Sequence, residues 1–112
     1  MLNNADCPKA FRSINDALDV LEGRWKLLIL FALSTGPQRF RQLTRSVSGI
    51  SDKTLSKELK ALEANNLIKR NAVDEFPPKV EYTITEHGQS LEQVVGELQR
   101  WGQSHRNEII GR

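Results

Sequence analysis

Lys53, Lys57 and Lys60 alternate with Leu55, Leu59 and Leu62 in one stretch of the chain. At ~100° per residue the three leucines fall on one side of a helix and the three lysines on the opposite side, with Thr54 and Ser56 flanking. Such a helix has an apolar anchor and a cationic, hydroxyl-bearing face. Ammonium groups at that pitch neutralise phosphates, and hydroxyls hydrogen-bond to phosphates or base edges, so the chemistry is that of polyanion binding. Ser51 precedes Asp52-Lys53-Thr54-Leu55 as an N-cap, so the helix starts there and its unpaired backbone N–H groups also favour anions. A surface helix with lysines also occurs as a plain solvated face, so the pattern has to be read with its surroundings.

The surroundings are basic too. Across residues 39–60, six basic residues (Arg39, Arg41, Arg45, Lys53, Lys57, Lys60) stand against two acidic ones, Asp52 and Glu58. The formal net charge of the whole chain is only +2, so the positive charge is local. A basic segment on a nearly neutral chain fits an anionic partner at one surface.

The elements that must position these residues follow from periodicity. Phe11, Ile14, Leu18 and Leu21 have helical spacing and predict a short helix that buries one stripe and stops at Gly23. Residues 24–34 are apolar nearly all round and predict a central helix covered on most sides. Thr35-Gly36-Pro37 ends it. Phe40, Leu43 and Val47 form the inward stripe of the next helix, from which the arginines fall away. Ser48-Gly49 breaks that helix before the lysine-bearing one, which spans about 52–64. The period then shortens, and residues 67–73 and 79–84 read as strands joined by the loop Asp74-Glu75-Phe76-Pro77-Pro78. Thr85 caps a last helix over about 86–110, on which Leu91, Val94, Val95, Leu98, Trp101, His105 and Ile109 recur at near-heptad spacing.

Two short helices around a glycine-containing turn, followed by a β-hairpin, make a helix-turn-helix with a wing. The expected fold is mainly α with a small β-hairpin wing, in one domain over 1–112, with extra N- and C-terminal helices. In a helix-turn-helix the first helix crosses the DNA backbone, which makes Arg39, Arg41 and Arg45 candidate phosphate clamps; long arginines also cover apolar surface. Arg70 and Lys79 are candidate wing contacts, although Asp74, Glu75 and Glu81 formally cancel that charge, and the hairpin can equally be an ordinary surface one. The last helix has more apolar surface than a chain of 112 residues readily hides. Leu91, Val95, Leu98, Trp101, His105 and Ile109 therefore form a candidate seam with a second copy, the other reading being that the helix folds back on its own domain. Gly96 and Gly102 either weaken that helix or permit close helix approach.

Other chemistry finds little support. The single cysteine, Cys7, forms no internal disulfide, and with two distant histidines, His87 and His105, the inventory implies no metal site and no cofactor. No nucleophile–histidine–acid context, phosphate loop or paired carboxylates point to an enzyme. The longest apolar run, residues 27–33, is far short of the roughly 20 residues that cross a bilayer, and the polar residues 1–6 lack a secretory apolar stretch. The expectation is a cytoplasmic protein that does not engage the membrane. No small-molecule effector is assigned by the pattern.

A family resemblance adds to this reading. Asp19-Val20-Leu21-Glu22-Gly23-Arg24-Trp25-Lys26-Leu27-Leu28-Ile29-Leu30 resembles the signature block of HxlR-type regulators, bacterial winged-helix proteins related to the MarR group. Arg39-Phe40-Arg41-Gln42-Leu43, the run from Ile50 to Glu63, Leu67-Ile68 and the run from Val80 to Leu91 follow in the family's order, so the similarity spans about residues 14–110. The resemblance implies a transcriptional regulator, acting as a homodimer through its terminal helices and reading a two-fold related site in double-stranded DNA. Carried over, the DNA-facing positions are Ser51, Lys53, Thr54, Ser56 and Lys57, with Lys60 at the margin. Some members sense oxidants or electrophiles through an N-terminal Cys-Pro pair, which Cys7-Pro8 resembles. Residues 9–17 separate that pair from Leu18-Asp19, more than the family's usual spacing, and a lone cysteine near a terminus is also a common bystander. Fold does not fix function, so a winged-helix protein-interaction module that does not bind DNA is the alternative.

Overall fold

The computed structural model describes residues 7–111, and the N-terminal stretch 1–6 read above lies outside them. The elements run α1 (Cys7–Val20), α2 (Lys26–Leu33), α3 (Phe40–Ser46), α4 (Asp52–Ala64), β1 (Ile68–Val73), β2 (Lys79–Ile84), α5 (Glu86–Gln89) and α6 (Glu92–Ile110). The core is aliphatic. Ile29, Leu30 and Leu33 of α2 meet Leu43 of α3, Leu55, Leu59 and Leu62 of α4, and Leu67 and Ile68 at the start of the hairpin. Val47 and Ile50 from the α3–α4 connection close it.

Local chemistry fixes the ends of α4. Ser51 Oγ accepts the Thr54 N–H at 3.1 Å, as the N-cap reading requires. Gly49, at φ +90°, makes the turn before it. At the other end Asn66 adopts the left-handed conformation, φ 58°, while the Leu67 N–H donates to the Leu62 carbonyl and the Asn66 N–H to the Glu63 carbonyl. That is a Schellman stop, with asparagine in the position glycine usually takes.

β1 and β2 pair antiparallel, from Ile68 opposite Ile84 to Val73 opposite Lys79. One further bridge was not legible beforehand. Gln38 pairs with Tyr82 through reciprocal backbone bonds of 3.0 and 2.8 Å, so the segment before α3 lies along the outer edge of β2. The hairpin is thereby tied to the helix-turn-helix through both strands, β1 by its connection from α4 and β2 by this bridge.

Three expectations need correction. The last helix is not continuous: α5 ends at Gln89, and the Ser90 and Leu91 N–H groups donate to the carbonyls of His87 and Gly88, three residues back. These tighter bonds end the α-helical ladder, and α6 restarts at Glu92. Gly88 lies so close to the residue preceding β1 that a Cβ there would lie 2.2 Å from the Leu67 carbonyl oxygen. Second, α1 buries no stripe within its own chain, since Phe11, Ile14 and Leu18 are all exposed. Third, α2 is not covered on most sides: Leu28 and Phe31 face outward. Gly96 and Gly102 meet no neighbouring helix, Gly96 facing only the Arg100 side chain and Gly102 open space.

No residue of α1 or α6 is fully buried, and apart from Val20 at the end of α1 the two end helices stand off the core. The radius of gyration is accordingly 16.6 Å, against about 13 Å for a compact chain of this length. No helix among the described residues is long and apolar enough to cross a membrane.

Candidate nucleic-acid interface

α4 is set into the protein by its leucines and by one ion pair. Leu55, Leu59 and Leu62 are buried to 2% exposure or less. Glu58 lies on the same inward side, where its Oε1 accepts from Lys26 Nζ at 2.7 Å. Both side chains are about nine-tenths buried, and Lys26 also donates to the Glu22 carbonyl at 3.2 Å. The pair joins α2 to α4 through an otherwise aliphatic core. A charge in a wholly apolar helix, as Lys26 is in α2, needs a counter-ion, and that was the signal available in the sequence.

With the leucines and Glu58 inward, Lys53, Lys57 and Lys60 are exposed, and none makes an ion pair among the described residues. Ser51 is exposed at the helix start; its hydroxyl donates to Thr54 Oγ1 at 3.0 Å while accepting the Thr54 N–H. Thr54 and Ser56 are half-buried at the flanks. The first turn of α4 therefore presents hydroxyls and ammonium groups together.

The arginines divide. Arg39 precedes α3, its backbone N–H donating to Gln42 Oε1 at 2.7 Å, and Arg45 sits in the last turn; both side chains are exposed. Arg41 is engaged. Its two terminal nitrogens donate to the two carboxylate oxygens of Asp52 at 2.8 and 2.6 Å, and its guanidinium lies over the Phe40 ring. The hydrogen bond and charge of Arg41 hold the Asp52 carboxyl below its ordinary range, and the same contact raises Arg41. The interaction is complete above the ordinary carboxylate pKa and is lost as pH falls through the lowered native value.

The wing contributes less. Arg70 is exposed on β1, Lys79 pairs with Glu75 at 3.5 Å, and Phe76 at the tip is 99% exposed. The remaining candidates lie elsewhere. Cys7 is the first residue of α1 and half-buried. Leu91 packs on the core and Val95 is half-buried, whereas Leu98, Trp101 and Ile109 are exposed, with the His105 ring stacked on Trp101 at 4.8 Å. Leu27, Leu28 and Phe31 of α2 line an open apolar groove together with Val95 and Leu98. Sequence reasoning missed the α2 half of that groove because an all-round apolar helix gives no indication of which side stays open.

A helix-turn-helix followed by a hairpin, with the cationic side of its second helix turned outward, defines the class of winged helix-turn-helix transcriptional regulators. The HxlR-like helix-turn-helix family matches residues 20–109, and the chain belongs to that family. The HTH-type transcriptional regulator YtcD of Bacillus subtilis strain 168 is 39% identical over 99 residues, covering 88% of this chain and 79% of that protein. YodB, an HTH-type transcriptional regulator of the same organism, is 40% identical over 100 residues, covering 89% and 86%. The reduced form of the redox regulator HypR superposes with a TM-score of 0.82 at 33% identity, over 89% of this chain and 99% of that one. All three of these relatives are named as regulators.

Lys26→Ala leaves Glu58 buried without its counter-ion and is expected to cost roughly 3–5 kcal/mol in urea unfolding. Replacing both partners, Lys26→Met with Glu58→Leu, should recover most of that loss. Equal destabilisation of the single and double variants would show that packing, and not charge pairing, dominates the site.

Proposed function

We propose that this regulator binds duplex DNA sequence-specifically as a homodimer in the cytoplasm, with α4 as the recognition helix. The observation that carries this reading is the outward cationic face of α4: three lysines without internal counter-ions, beside the hydroxyls of Ser51, Thr54 and Ser56. Seated in a major groove, Lys53 and Lys57 reach phosphates and base edges from the first two turns, and Lys60 lies at the margin. Arg39 and Arg45 take backbone phosphates beside α3. Arg70 and Lys79 are secondary contacts from the wing. Lys53→Ala and Lys57→Ala should each weaken binding to the promoter region beside its own gene by roughly five- to tenfold near physiological salt. Each should also flatten the log–log salt slope by about 0.9, because one phosphate contact and its released counterion are lost. Melting temperatures should stay unchanged. Salt-insensitive binding to a protein, with no affinity for duplex, would favour the interaction-module alternative.

The homodimer reading is supported by apolar surface that one chain leaves open. Phe11, Ile14 and Leu18 on α1, Leu98, Trp101 and Ile109 on α6, and the α2–α6 groove are too extensive a set for a helical surface exposed to water. A two-fold dimer would also set two copies of α4 about one helical turn of DNA apart. Leu98→Asp, at a half-exposed position, should yield a monomer in sedimentation analysis and leave the fold intact. A variant that stays dimeric would remove α6 from the interface.

Regulation through the Cys7 thiol is a further part of the proposal. It is supported by the likeness to HypR, which is named a redox regulator and is known in reduced and oxidised forms. Because Cys7 is the one cysteine of the chain, an oxidant must either join two copies, each thiol losing a proton and an electron to the oxidant, or attach a small thiol. Diamide treatment followed by non-reducing electrophoresis and mass spectrometry should show a crosslink or adduct that Cys7→Ser abolishes, with altered DNA affinity. An unmodified thiol at full DNA affinity would exclude the sensing role.

A further inference from the structure

The Arg41–Asp52 pair sits where the proposed DNA backbone would pass, between the helix-turn-helix's first helix and the first turn of its second. It is a two-pronged contact, at 2.8 and 2.6 Å, between side chains that are 65% and 58% exposed. Nothing in the core requires it, and Phe40 already holds the guanidinium from its ring face. The same fork of parallel N–H groups is what a guanidinium offers to a phosphate. Two acidic residues occur in the basic segment, and they are treated differently. Glu58 is turned inward onto Lys26, while Asp52 stays on the cationic surface and takes up one arginine.

We propose that Asp52 is a built-in phosphate mimic. Its carboxylate occupies the Arg41 fork and keeps Arg41 off the DNA backbone, so the native protein binds non-specific duplex with one phosphate contact fewer. Asp52 therefore subtracts from the affinity for duplex of any sequence. The inference rests on the reading of α4 as a DNA-binding helix. On α3 and the first turn of α4 the other exposed charged residues are the cations Arg45 and Lys53, with Arg39 just before α3. Non-specific binding is dominated by phosphate contacts, and withholding one arginine lowers it at every genomic site.

The test uses a fluorescent mixed-sequence duplex of about three helical turns, titrated with protein over a range of salt concentrations. Asp52→Asn should tighten binding roughly three- to tenfold at low salt and steepen the log–log salt slope by about 0.9, the signature of one additional phosphate contact. Arg41→Gln should abolish that gain in the Asp52→Asn protein, and should leave the slope nearly unchanged when made alone. An unchanged slope in Asp52→Asn overturns the proposal. So does an equal gain with Arg41 removed, because a negative charge at a distance would then suffice. Lys57→Ala separates the two levels. If it weakens binding while Asp52→Asn does nothing, only the mimic fails. If it has no effect either, the DNA-binding reading of α4 fails with it.

Discussion

The buried contact between Lys26 and Glu58 governs how α4 is presented. A carboxylate and an ammonium group lose several kcal/mol of hydration each when taken into a low-dielectric interior, and they recover it only through close, well-aligned pairing. Their 2.7 Å bond therefore does more than join two helices. If α4 rotated by one residue about its axis, Glu58 would leave Lys26, and Leu55, Leu59 and Leu62 would leave the core together. Apolar burial alone tolerates small rotations, because greasy contacts are non-directional. The ion pair is directional, and it sits on the same side as the leucines. The direction in which Lys53, Lys57 and Lys60 point is thus a consequence of what is hidden behind them.

The same contact alters the charge balance of the surface. The basic segment contains two carboxylates that would blunt its field. One is buried against a lysine from another helix, and the other is clamped by an arginine of the neighbouring helix. What remains exposed without an ion pair among the described residues is Arg39, Arg45, Lys53, Lys57 and Lys60. A count of formal charges understates this face, because the count cannot register which acid is occupied. The hairpin is the opposite case: it carries Glu75 beside Lys79, and its cations are partly spent within the wing itself.

The end helices belong to a different level of organisation. The fully buried core draws on α2, α3, α4 and β1, and from the end helices only Val20, the last residue of α1, packs against it. Those two helices cover little of the core, and their apolar stripes stay open to water in a single chain. In proteins most helical stability comes from packing an amphipathic face, so helices that hide little at home are stabilised chiefly against something else. The proposed dimer supplies such a surface, and the Trp101–His105 stack lies on the exposed face of α6.

The local elements were legible because each depends on neighbours in the chain. Ser51 caps α4 and Asn66 stops it through hydrogen bonds within a few residues, the leucine period separates inside from outside, and the loop at residues 74–78 divides two strands whatever surrounds them. Family blocks spaced along the sequence fixed the class for the same reason. Contacts between distant residues were not legible. Periodicity showed neither that Lys26 meets Glu58, 32 positions away, nor that Asp52 closes on Arg41, nor that Gln38 pairs with Tyr82. The heptad run suggested one long helix, but the Ser90 and Leu91 N–H groups donate to His87 and Gly88 and break it, while Gly88 lies against the Leu67 carbonyl. Apolar spacing likewise marks which face seeks cover without saying where the cover comes from, which is why α1 was expected to bury a stripe that its own chain leaves exposed. The sequence sets what each segment prefers; only the assembled chain decides which charges are spent on one another and which are left for a partner.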